Sequence, residues 1–268
     1  MKELFKNKVA IVTGGASGIG LATCLQLAKQ DCKIAMLDMD EKELEIQKQL
    51  FLKQKSEILT IVCDVTHEES CRSSINQVKD KFGKIDILFN NAGITQRGLF
   101  EKTEVPVFKK IMDVNFFGSL FCTKAALPSL IETKGIIIVN ESIAGVAPLL
   151  GRTGYSASKH ALHGLFTSLR CELRHKGVHV MIVCPGFIKT KLQTRALGSD
   201  GKIAKHEQTI VGKVDTPENA AKQIIMGITK KKSMLVLTFM GKIGYLVSRL
   251  SPLLYEQIMT RKFKKELL

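Results

Sequence analysis

Three side chains that can together handle a proton on a substrate oxygen stand near the middle of the chain. Ser142 is followed thirteen residues later by Tyr155, and Lys159 comes four residues after that tyrosine. Helical positions i and i+4 share one face, so the phenol and the ammonium would project into the same space. The ammonium would stabilise the phenolate and lower a pKa that is ordinarily about 10, which makes the tyrosine a usable general acid or base.

The serine hydroxyl completes a set that suits hydride transfer. Aimed at the same point, Ser142 would hold a carbonyl oxygen or the alkoxide that develops there. In hydride transfer a cofactor carries the hydride, while the protein handles the proton and orients the substrate. Taken singly, each residue has a simpler explanation, because a Tyr-x-x-x-Lys pair also occurs on surface helices and a serine also occurs in turns.

The elements that must position this chemistry begin with a glycine-rich stretch near the N-terminus. Residues 13–20 read Thr-Gly-Gly-Ala-Ser-Gly-Ile-Gly, between an apolar strand-like run and apolar residues at helical spacing. A strand that ends in glycines and leads into a helix presents unpaired N–H groups at the positive end of the helix dipole, where a pyrophosphate binds. Gly14 would allow the tight turn, Gly18 the approach of phosphate, and Gly20 close helix packing. The alternative is an ordinary strand-to-helix turn.

A carboxylate at the end of the second apolar run indicates which cofactor this turn would bind. The run at 33–37 ends at Asp38, eighteen residues beyond Gly20. In a dinucleotide-binding unit a carboxylate near this position accepts hydrogen bonds from the adenosine ribose. Asp38 would repel a 2′-phosphate, and neither Gly15 nor Met39 supplies a cation to neutralise one. The sequence therefore predicts NAD(H), with NADP(H) as the alternative.

Apolar strand-like runs recur along the chain, with helix-compatible segments between most of them. Such alternation implies parallel strands, right-handed crossovers and helices on both faces of one sheet. Because no linker, low-complexity tract or solenoid repeat interrupts it, we expect an α/β, doubly wound fold with a seven-stranded parallel sheet, in a single dinucleotide-binding catalytic domain over 1–268. The runs are 8–13, 33–38, 58–63, 85–90, 135–139, 178–184 and 234–239.

Polar residues follow several of these runs, at the strand ends where ligands bind in such folds. Asp64, with Val65, follows the third run and either accepts from an adenine amino group or forms a turn or helix cap. Asn90-Asn91-Ala92-Gly93 follows the fourth and either lines the cofactor pocket or makes a turn. Asn115 lies inside an apolar helical pattern, where asparagine is a poor choice by propensity.

In conjunction these motifs resemble the short-chain dehydrogenase/reductase family, from about residue 6 to about residue 240. The resemblance implies a Rossmann fold that binds NAD and reacts with an alcohol or ketone. The motifs that carry it are Thr13-Gly14-x-x-x-Gly18-x-Gly20, Asp64, Asn90-Asn91-Ala92-Gly93, Asn115, Ser142, Tyr155-x-x-x-Lys159 and Pro185-Gly186 with Thr190.

By that resemblance each motif acquires a role. Tyr155 would be the general acid/base, Ser142 would position the reacting oxygen, Lys159 would lower the tyrosine pKa and hold the nicotinamide ribose, and Asn115 would help to hold a relay water. Glu141 departs from the family, which often carries serine there. The implied cofactor contacts are Gly14, Ser17, Gly18, Ile19, Gly20, Asp38, Asp64, Val65, Asn91, Ala92, Gly93, Tyr155, Lys159, Ile188 and Thr190.

Composition restricts the compartment and the other classes of function. Seven scattered cysteines form no Cys-x-x-Cys pair and there is no histidine-rich cluster, so we expect free thiols, a reducing cytoplasmic compartment and no metal site.

The strand run that starts by residue 8 leaves no room for a secretory signal, and the apolar stretch at 233–241 is too short to span a membrane. The net charge of +15 would suit nucleic acid, but Trp is absent and Tyr numbers three, which disfavours a stacking surface.

Competing functions differ in which residues they need. A nucleotide-sensing protein that has lost the chemistry would lack the tyrosine or the lysine, and both are present. An NADPH-dependent carbonyl or 3-oxoacyl reductase remains the alternative to an NAD-dependent enzyme.

The segment at about 187–216 is either a mobile lid over an apolar substrate pocket or a solvated loop with a helix. We expect an apolar or acyl-like substrate and a homodimer or homotetramer.

The C-terminal extension, about 240–268, combines an apolar helical face with positive charge. Residues 230–268 carry nine Lys or Arg against two Glu. The apolar face either closes the core or an oligomer interface, or it rests on an anionic membrane. Pro252 should kink or split the helix. The apolar positions are Ile243, Leu246, Val247, Leu250 and Leu254, and the basic ones are Lys242, Arg249, Arg261, Lys262, Lys264 and Lys265.

Overall fold

The protein is built around one seven-stranded sheet in the strand order β3-β2-β1-β4-β5-β6-β7, and every neighbouring pair is parallel. This parallel sheet confirms the predicted α/β doubly wound fold. The computed structural model describes residues 2–205 and 208–264. The strands are β1 Val9–Thr13, β2 Lys33–Asp38, β3 Ile58–Val62, β4 Ile87–Asn90, β5 Ile136–Asn140, β6 His179–Cys184 and β7 Met234–Val236.

Helices connect the strands and cover both faces of the sheet. Helices α2, α3 and α9 lie over one face, and α4, α6 and α7 lie over the other. The helices are α1 Lys2–Phe5, α2 Gly18–Ala28, α3 Glu41–Lys53, α4 Glu68–Phe82, α5 Val105–Met112, α6 Gly118–Glu132, α7 Thr153–Leu173, α8 Lys191–Thr194, α9 Pro217–Thr229, α10 Phe239–Leu250 and α11 Pro252–Lys262.

The apolar run of β1 shows why the sequence forms a buried central strand. Successive side chains of a strand point to opposite faces, so an apolar run with no polar alternation must be covered on both sides. Ala10 and Val12 pack into the core beneath α2 and α9, whereas Val9 and Ile11 pack into the core beneath α4, α6 and α7. Strand β1 is therefore an inner strand of the sheet, paired with β2 on one side and β4 on the other.

The last predicted strand and the C-terminal helix differ in extent from the sequence pattern. The run at 234–239 forms a strand only to Val236, because Thr238 caps α10 by accepting a hydrogen bond from the backbone N–H of Gly241 at 3.1 Å. Pro252 splits the tail into α10 and α11, as predicted, with Ser251 between them. Lys265 lies outside the residues that the structure describes.

One helical stretch among the described residues, Val105–Glu132, is long and apolar enough to cross a membrane, judged by length and composition alone. It runs through α5, a π-helical turn and α6. Its apolar residues Cys122, Ala126 and Leu130 are fully buried against the sheet. Core packing accounts for its composition.

Candidate active site

A cleft of about 690 Å³ opens at the carboxyl ends of the strands, and the predicted site residues converge on it. All of the predicted catalytic and cofactor residues line this cleft except Gly20 and Asn115, which lie behind its wall. The lining residues among them are Gly14, Ser17, Gly18, Ile19, Asp38, Asp64, Val65, Asn91, Ala92, Gly93, Ser142, Tyr155, Lys159, Ile188 and Thr190.

The glycine-rich turn between β1 and α2 forms one wall of the cleft. Gly14 has a φ of +59°, in the left-handed region that glycine adopts without strain. A Cβ on Gly20 would overlap the carbonyl oxygen of Gly14 and lie 2.5 Å from Asn91 Nδ2. The turn therefore leaves a backbone cradle at the start of an eleven-residue helix, which fits a pyrophosphate.

Asn91 fastens this turn to the end of β4. Its Nδ2 donates to the carbonyl oxygens of Thr13 and Gly14, both at 3.0 Å, and its Oδ1 accepts from Asn140 Nδ2 at 2.9 Å. The hydroxyl oxygen of Thr13 accepts from the backbone N–H groups of Asn91 and Ala92. The amides after β4 thus fix the shape of the cleft floor.

Asp38 lies at the end of β2 and faces the glycine-rich turn. Its carboxylate accepts from the backbone N–H of Ala16 at 3.1 Å and from that of Asp40 at 3.2 Å. These bonds fix the side chain on the wall of the cleft at the end of β2. Lys42, in the first turn of α3, also lines the cleft. The sequence does not predict this cation, because Lys42 belongs to the helix after the strand and not to the positions beside Asp38.

Asp64 forms a turn and also lines the cleft. It lines the cleft, and its Oδ1 also accepts from the backbone N–H and the hydroxyl of Thr66 at 2.9 and 2.8 Å. Burial acts to raise the pKa of Asp64, but the hydrogen bonds from Thr66 and the neighbouring His67 lower it overall. Asp64 is a turn former that also faces the cofactor cleft.

Ser142, Tyr155 and Lys159 come together at the opposite end of the cleft from Asp38. Ser142 follows β5, accepts from the backbone N–H of Ala144 at 3.1 Å and hydrogen-bonds Tyr155. Tyr155 and Lys159 project from the same face of α7, and both are buried. Lys159 Nζ lies 5.7 Å from the centroid of the Tyr155 ring and donates to the carbonyl oxygen of Asn140 at 2.8 Å.

The pKa of Tyr155 shifts in the opposite direction to the one that the sequence predicts. Burial raises the pKa of Tyr155 above its ordinary value, although the Ser142 hydrogen bond and the Arg152 cation lower it; Glu141 adds to the rise. Burial also lowers the pKa of Lys159 to about 8, against the influence of Glu141 and Cys184. The sequence predicts a lowered phenol pKa, but desolvation of the phenolate outweighs the nearby positive charge.

Asn115 supports the site from behind. It lies in the π-helical turn Asp113–Phe117, a distortion that is frequent at functional sites. Its Oδ1 accepts from the backbone N–H of Ile94 at 2.9 Å, and its Nδ2 donates to the carbonyl oxygen of Ile94 at 3.0 Å and to Ser158 Oγ at 2.8 Å. The side-chain amide is thus committed to protein partners, and it fixes α5 and α6 against α7.

Arg152 is a buried cation near the site that the motifs did not reveal. It directly precedes α7, is 2% exposed, and its positive charge lowers the pKa of Tyr155. The only sequence signal was a cation three residues before the tyrosine. Across residues 2–205 and 208–264 no group of three or more His, Cys, Asp or Glu residues is arranged to hold a metal ion.

The segment at 187–216 contributes part of the cleft wall, including Ile188 and Thr190, and is anchored at several points. Ile188 pairs with Asp215, which closes the segment at its base. Leu197 pairs with Gln96 and Ile203, and its carbonyl oxygen accepts from the backbone N–H of Arg97 at 2.7 Å. The first half is therefore attached to the loop after β4 and is more than a solvated loop. His206 and Glu207 lie outside the described residues.

Solved structures share this architecture. A short-chain dehydrogenase/reductase from Burkholderia phymatum, in complex with NAD, superimposes with a TM-score of 0.83, is 22% identical, and covers 93% of this chain and 95% of its own. An alcohol dehydrogenase from the archaeon Thermococcus sibiricus, complexed with 5-hydroxy-NADP, has a TM-score of 0.73 and 26% identity over 86% of this chain and 95% of its own. The first likeness concerns the fold alone.

Sequence comparison extends the likeness over almost the whole chain. A dehydrogenase/reductase SDR family protein 7-like from Dictyostelium discoideum is 35% identical over 97% of this chain and 82% of its own length. A dehydrogenase/reductase SDR family member 7B from Mus musculus is 31% identical over 99% of this chain and 84% of its own. The family model for short chain dehydrogenase matches residues 8–199, which contain the glycine-rich turn and the serine, tyrosine and lysine of the cleft. This chain belongs to the short-chain dehydrogenase/reductase family of oxidoreductases.

Proposed function

We propose that the protein transfers a hydride between NAD(H) and an alcohol or ketone, with Tyr155 as general acid/base. The supporting observation is that Ser142, Tyr155 and Lys159 meet at one end of the cleft whose other end contains Asp38. The nicotinamide supplies or accepts the hydride when the cofactor is bound. A panel of alcohols and ketones, assayed by nicotinamide absorbance, tests the proposal; no turnover with any of them by wild-type protein that binds NADH would count against it.

The residues divide the proton chemistry among them. In ketone reduction Tyr155 donates its hydroxyl proton to the carbonyl oxygen, and Ser142 donates a hydrogen bond that holds that oxygen. The raised pKa of Tyr155 favours the proton-bearing form at neutral pH. Lys159, held by Asn140, would orient the nicotinamide ribose, so Lys159→Ala should weaken both turnover and NADH binding.

Cofactor preference rests on Asp38. A carboxylate fixed by two backbone N–H groups would accept from both ribose hydroxyls but would repel a 2′-phosphate. Lys42 is the observation that favours the NADPH-dependent alternative, because it also lines the cleft.

We expect Asp38→Ser to move the ratio of kcat/KM for NADH over NADPH towards NADPH by about 10-fold or more, with Glu43→Gln as a control. A wild-type preference for NADPH would replace this proposal with the alternative.

The lining of the cleft supports an apolar or acyl-like substrate. Its walls include the apolar Ile94, Val114, Pro185 and Leu192, alongside the polar Gln193 and Arg195. Apolar walls with a few polar groups are typical of small-molecule sites. The substrate panel should therefore include ketones of increasing chain length, and kcat/KM should rise with length. A preference for short, highly polar ketones would contradict this assignment.

We also propose that the C-terminal helices rest on an anionic membrane surface. Helix α10 turns its small and polar residues Gly241 and Ser248 inward and its apolar face outward. Phe239, Leu250 and Leu253 are 75%, 77% and 73% exposed. Exposed basic residues of the same two helices, and one that lies two residues beyond α11, complement an anionic bilayer; they are Lys242, Arg249, Arg261, Lys262 and Lys264.

The membrane proposal has a plain energetic basis. Each basic residue near an anionic surface contributes about 1 kcal/mol, and each fully buried leucine contributes about 1.5–3 kcal/mol. The two helices also contact the loop after Ser142: Tyr255 Oη donates to the carbonyl oxygens of Ala147 and Pro148, and Ser248 Oγ donates to that of Val146. Membrane contact through these helices would therefore bring the catalytic end of the cleft close to apolar substrates.

Vesicle flotation tests this proposal. Full-length protein should float with phosphatidylcholine vesicles that contain phosphatidylserine, and raised salt should release it. Leu250→Asp with Leu253→Asp should abolish binding, whereas Ile46→Asp with Leu50→Asp should not, because α3 lies at the opposite edge of the sheet. Point substitutions are preferable to truncation, since Phe263 is buried. If the tail variants instead convert a dimer to monomers in light scattering, the apolar face is an oligomer interface.

A further inference from the structure

Glu141 is a buried carboxylate directly before Ser142, at a position where the family often carries serine. Its side chain has no exposed surface. Oε2 lies 3.2 Å from His163 Nδ1 and accepts from Cys184 Sγ at 3.5 Å. Oε1 has no hydrogen-bond partner within the ranges that the structure describes, and a Cβ on Gly145 would overlap it. The negative charge of this group is therefore only partly compensated by its direct partners.

Contacts of Glu141 and of its neighbour Asn140 bring this carboxylate near Tyr155 and Lys159. Tyr155, Lys159 and His163 are spaced four residues apart, so they share one face of α7. His163 contacts Glu141, and Lys159 donates to Asn140, the residue just before it. The carboxylate thus lies beside the face of α7 that carries the phenol and the ammonium.

We propose that Glu141 is a positioning residue whose buried negative charge keeps Tyr155 and Lys159 in their proton-bearing forms. A negative charge near a titratable group disfavours loss of a proton from it, whether the product is a phenolate or a neutral amine. In ketone reduction both groups must carry their protons. Glu141 would accordingly extend the activity of the site towards alkaline pH.

Glu141 acts in the same direction on three titratable groups around it. Glu141 adds to the raised pKa of Tyr155, and for Lys159 it opposes the larger lowering by burial. From β6, burial and then Glu141 raise the pKa of Cys184, so this thiol stays a hydrogen-bond donor. Arg152 acts in the opposite direction on Tyr155. His163, on α7, contacts Glu141 directly, and its side chain is 24% exposed.

A tyrosine titration tests the inference without any substrate. The chain has no Trp and three Tyr, so phenolate absorbance reports few groups. The difference between each protein and its Tyr155→Phe counterpart isolates Tyr155. In Glu141→Gln its midpoint should fall by about one pH unit. Glu141→Asp, which keeps the charge, should restore most of the wild-type midpoint, and Glu172→Gln, an exposed residue of α7, should leave it unchanged.

Two further variants separate charge from packing. Glu141→Ser is a second neutral variant, and it keeps the test decidable if Glu141→Gln does not fold. His163→Gln removes a partner of Glu141 but not its charge, so the Tyr155 midpoint should stay or rise. An unchanged or raised midpoint in the folded neutral variants would overturn the inference, and so would an equal fall in His163→Gln. The inference rests on Tyr155 as proton donor, but this titration can succeed or fail independently of turnover.

Discussion

Helices α7 and α10 both contact the loop that follows Ser142, yet they present opposite kinds of face to it. Helix α7 turns Tyr155 and Lys159 inward, where they are 9% and 4% exposed. Helix α10 turns Gly241 and Ser248 inward and leaves Leu250 on the outside. Polar residues are therefore buried on α7, whereas leucines are exposed on α10.

The difference follows from what each helix packs against. Helix α7 lies on the sheet, whose apolar side chains require apolar partners such as Leu162 and Phe166. Helix α10 and its continuation α11 lie on a loop that offers backbone carbonyl oxygens, and these oxygens require donors such as Ser248 and Tyr255. The spacing of residues defines a helix face, but the neighbouring element decides whether that face is buried.

The largest effect should come from the catalytic face of α7. Tyr155→Phe removes only the ionisable oxygen, so turnover should fall by about 10²–10⁴-fold while the dissociation constant for NADH changes little. Steady-state kinetics and NADH fluorescence titration measure the two quantities. Tyr245→Phe on α10 is the matched control and should keep wild-type turnover. Substantial turnover in Tyr155→Phe would make Glu141 the first alternative proton donor to test.

Truncation of a leucine should lower the free energy of unfolding much more on α7 than on α10. Leu162 on α7 is 1% exposed and Leu250 on α10 is 77% exposed. Leu162→Ala should lower the free energy of unfolding by about 2–5 kcal/mol, whereas Leu250→Ala should change it by less than about 0.5 kcal/mol. Urea denaturation of both variants compares them directly. Comparable losses would mean that Leu250 is buried in solution, as in an oligomer.

The same contrast shows what the sequence could predict. The strands and their parallel direction followed from the alternation of apolar runs with helical segments. The convergence of the motif residues followed from the rule that ligands bind at the carboxyl ends of such strands and from the family resemblance. The orientation of α10 did not follow, since the spacing of Ile243, Leu246 and Leu250 is equally compatible with a buried face. Nor did the π-helical turn at Asn115 or the approach of Lys42 and Arg152, which depend on how separate elements pack.

The smallest effect should come from the contact that joins the tail to the catalytic loop. Tyr255 Oη on α11 donates to the carbonyl oxygens of Ala147 and Pro148 at 3.1 and 3.0 Å. Tyr255→Phe should therefore cost about 0.5–1.5 kcal/mol of unfolding free energy and should speed amide exchange in the loop at 146–151. Tyr245→Phe, whose substitution leaves this contact intact, is again the control.

The pH dependence of stability provides a second measurement on the same residue. Burial raises the pKa of Tyr255 to about 12, against an unfolded value near 10. Between these values the unfolded chain has lost a proton that the folded protein retains, so stability falls as pH rises from about 10 to about 12. Tyr255→Phe should make this decline less steep than in the wild type, while Tyr155 contributes equally to both. An unchanged slope would show that the Tyr255 hydroxyl is not buried against the loop, and the tail would then be free of the catalytic loop.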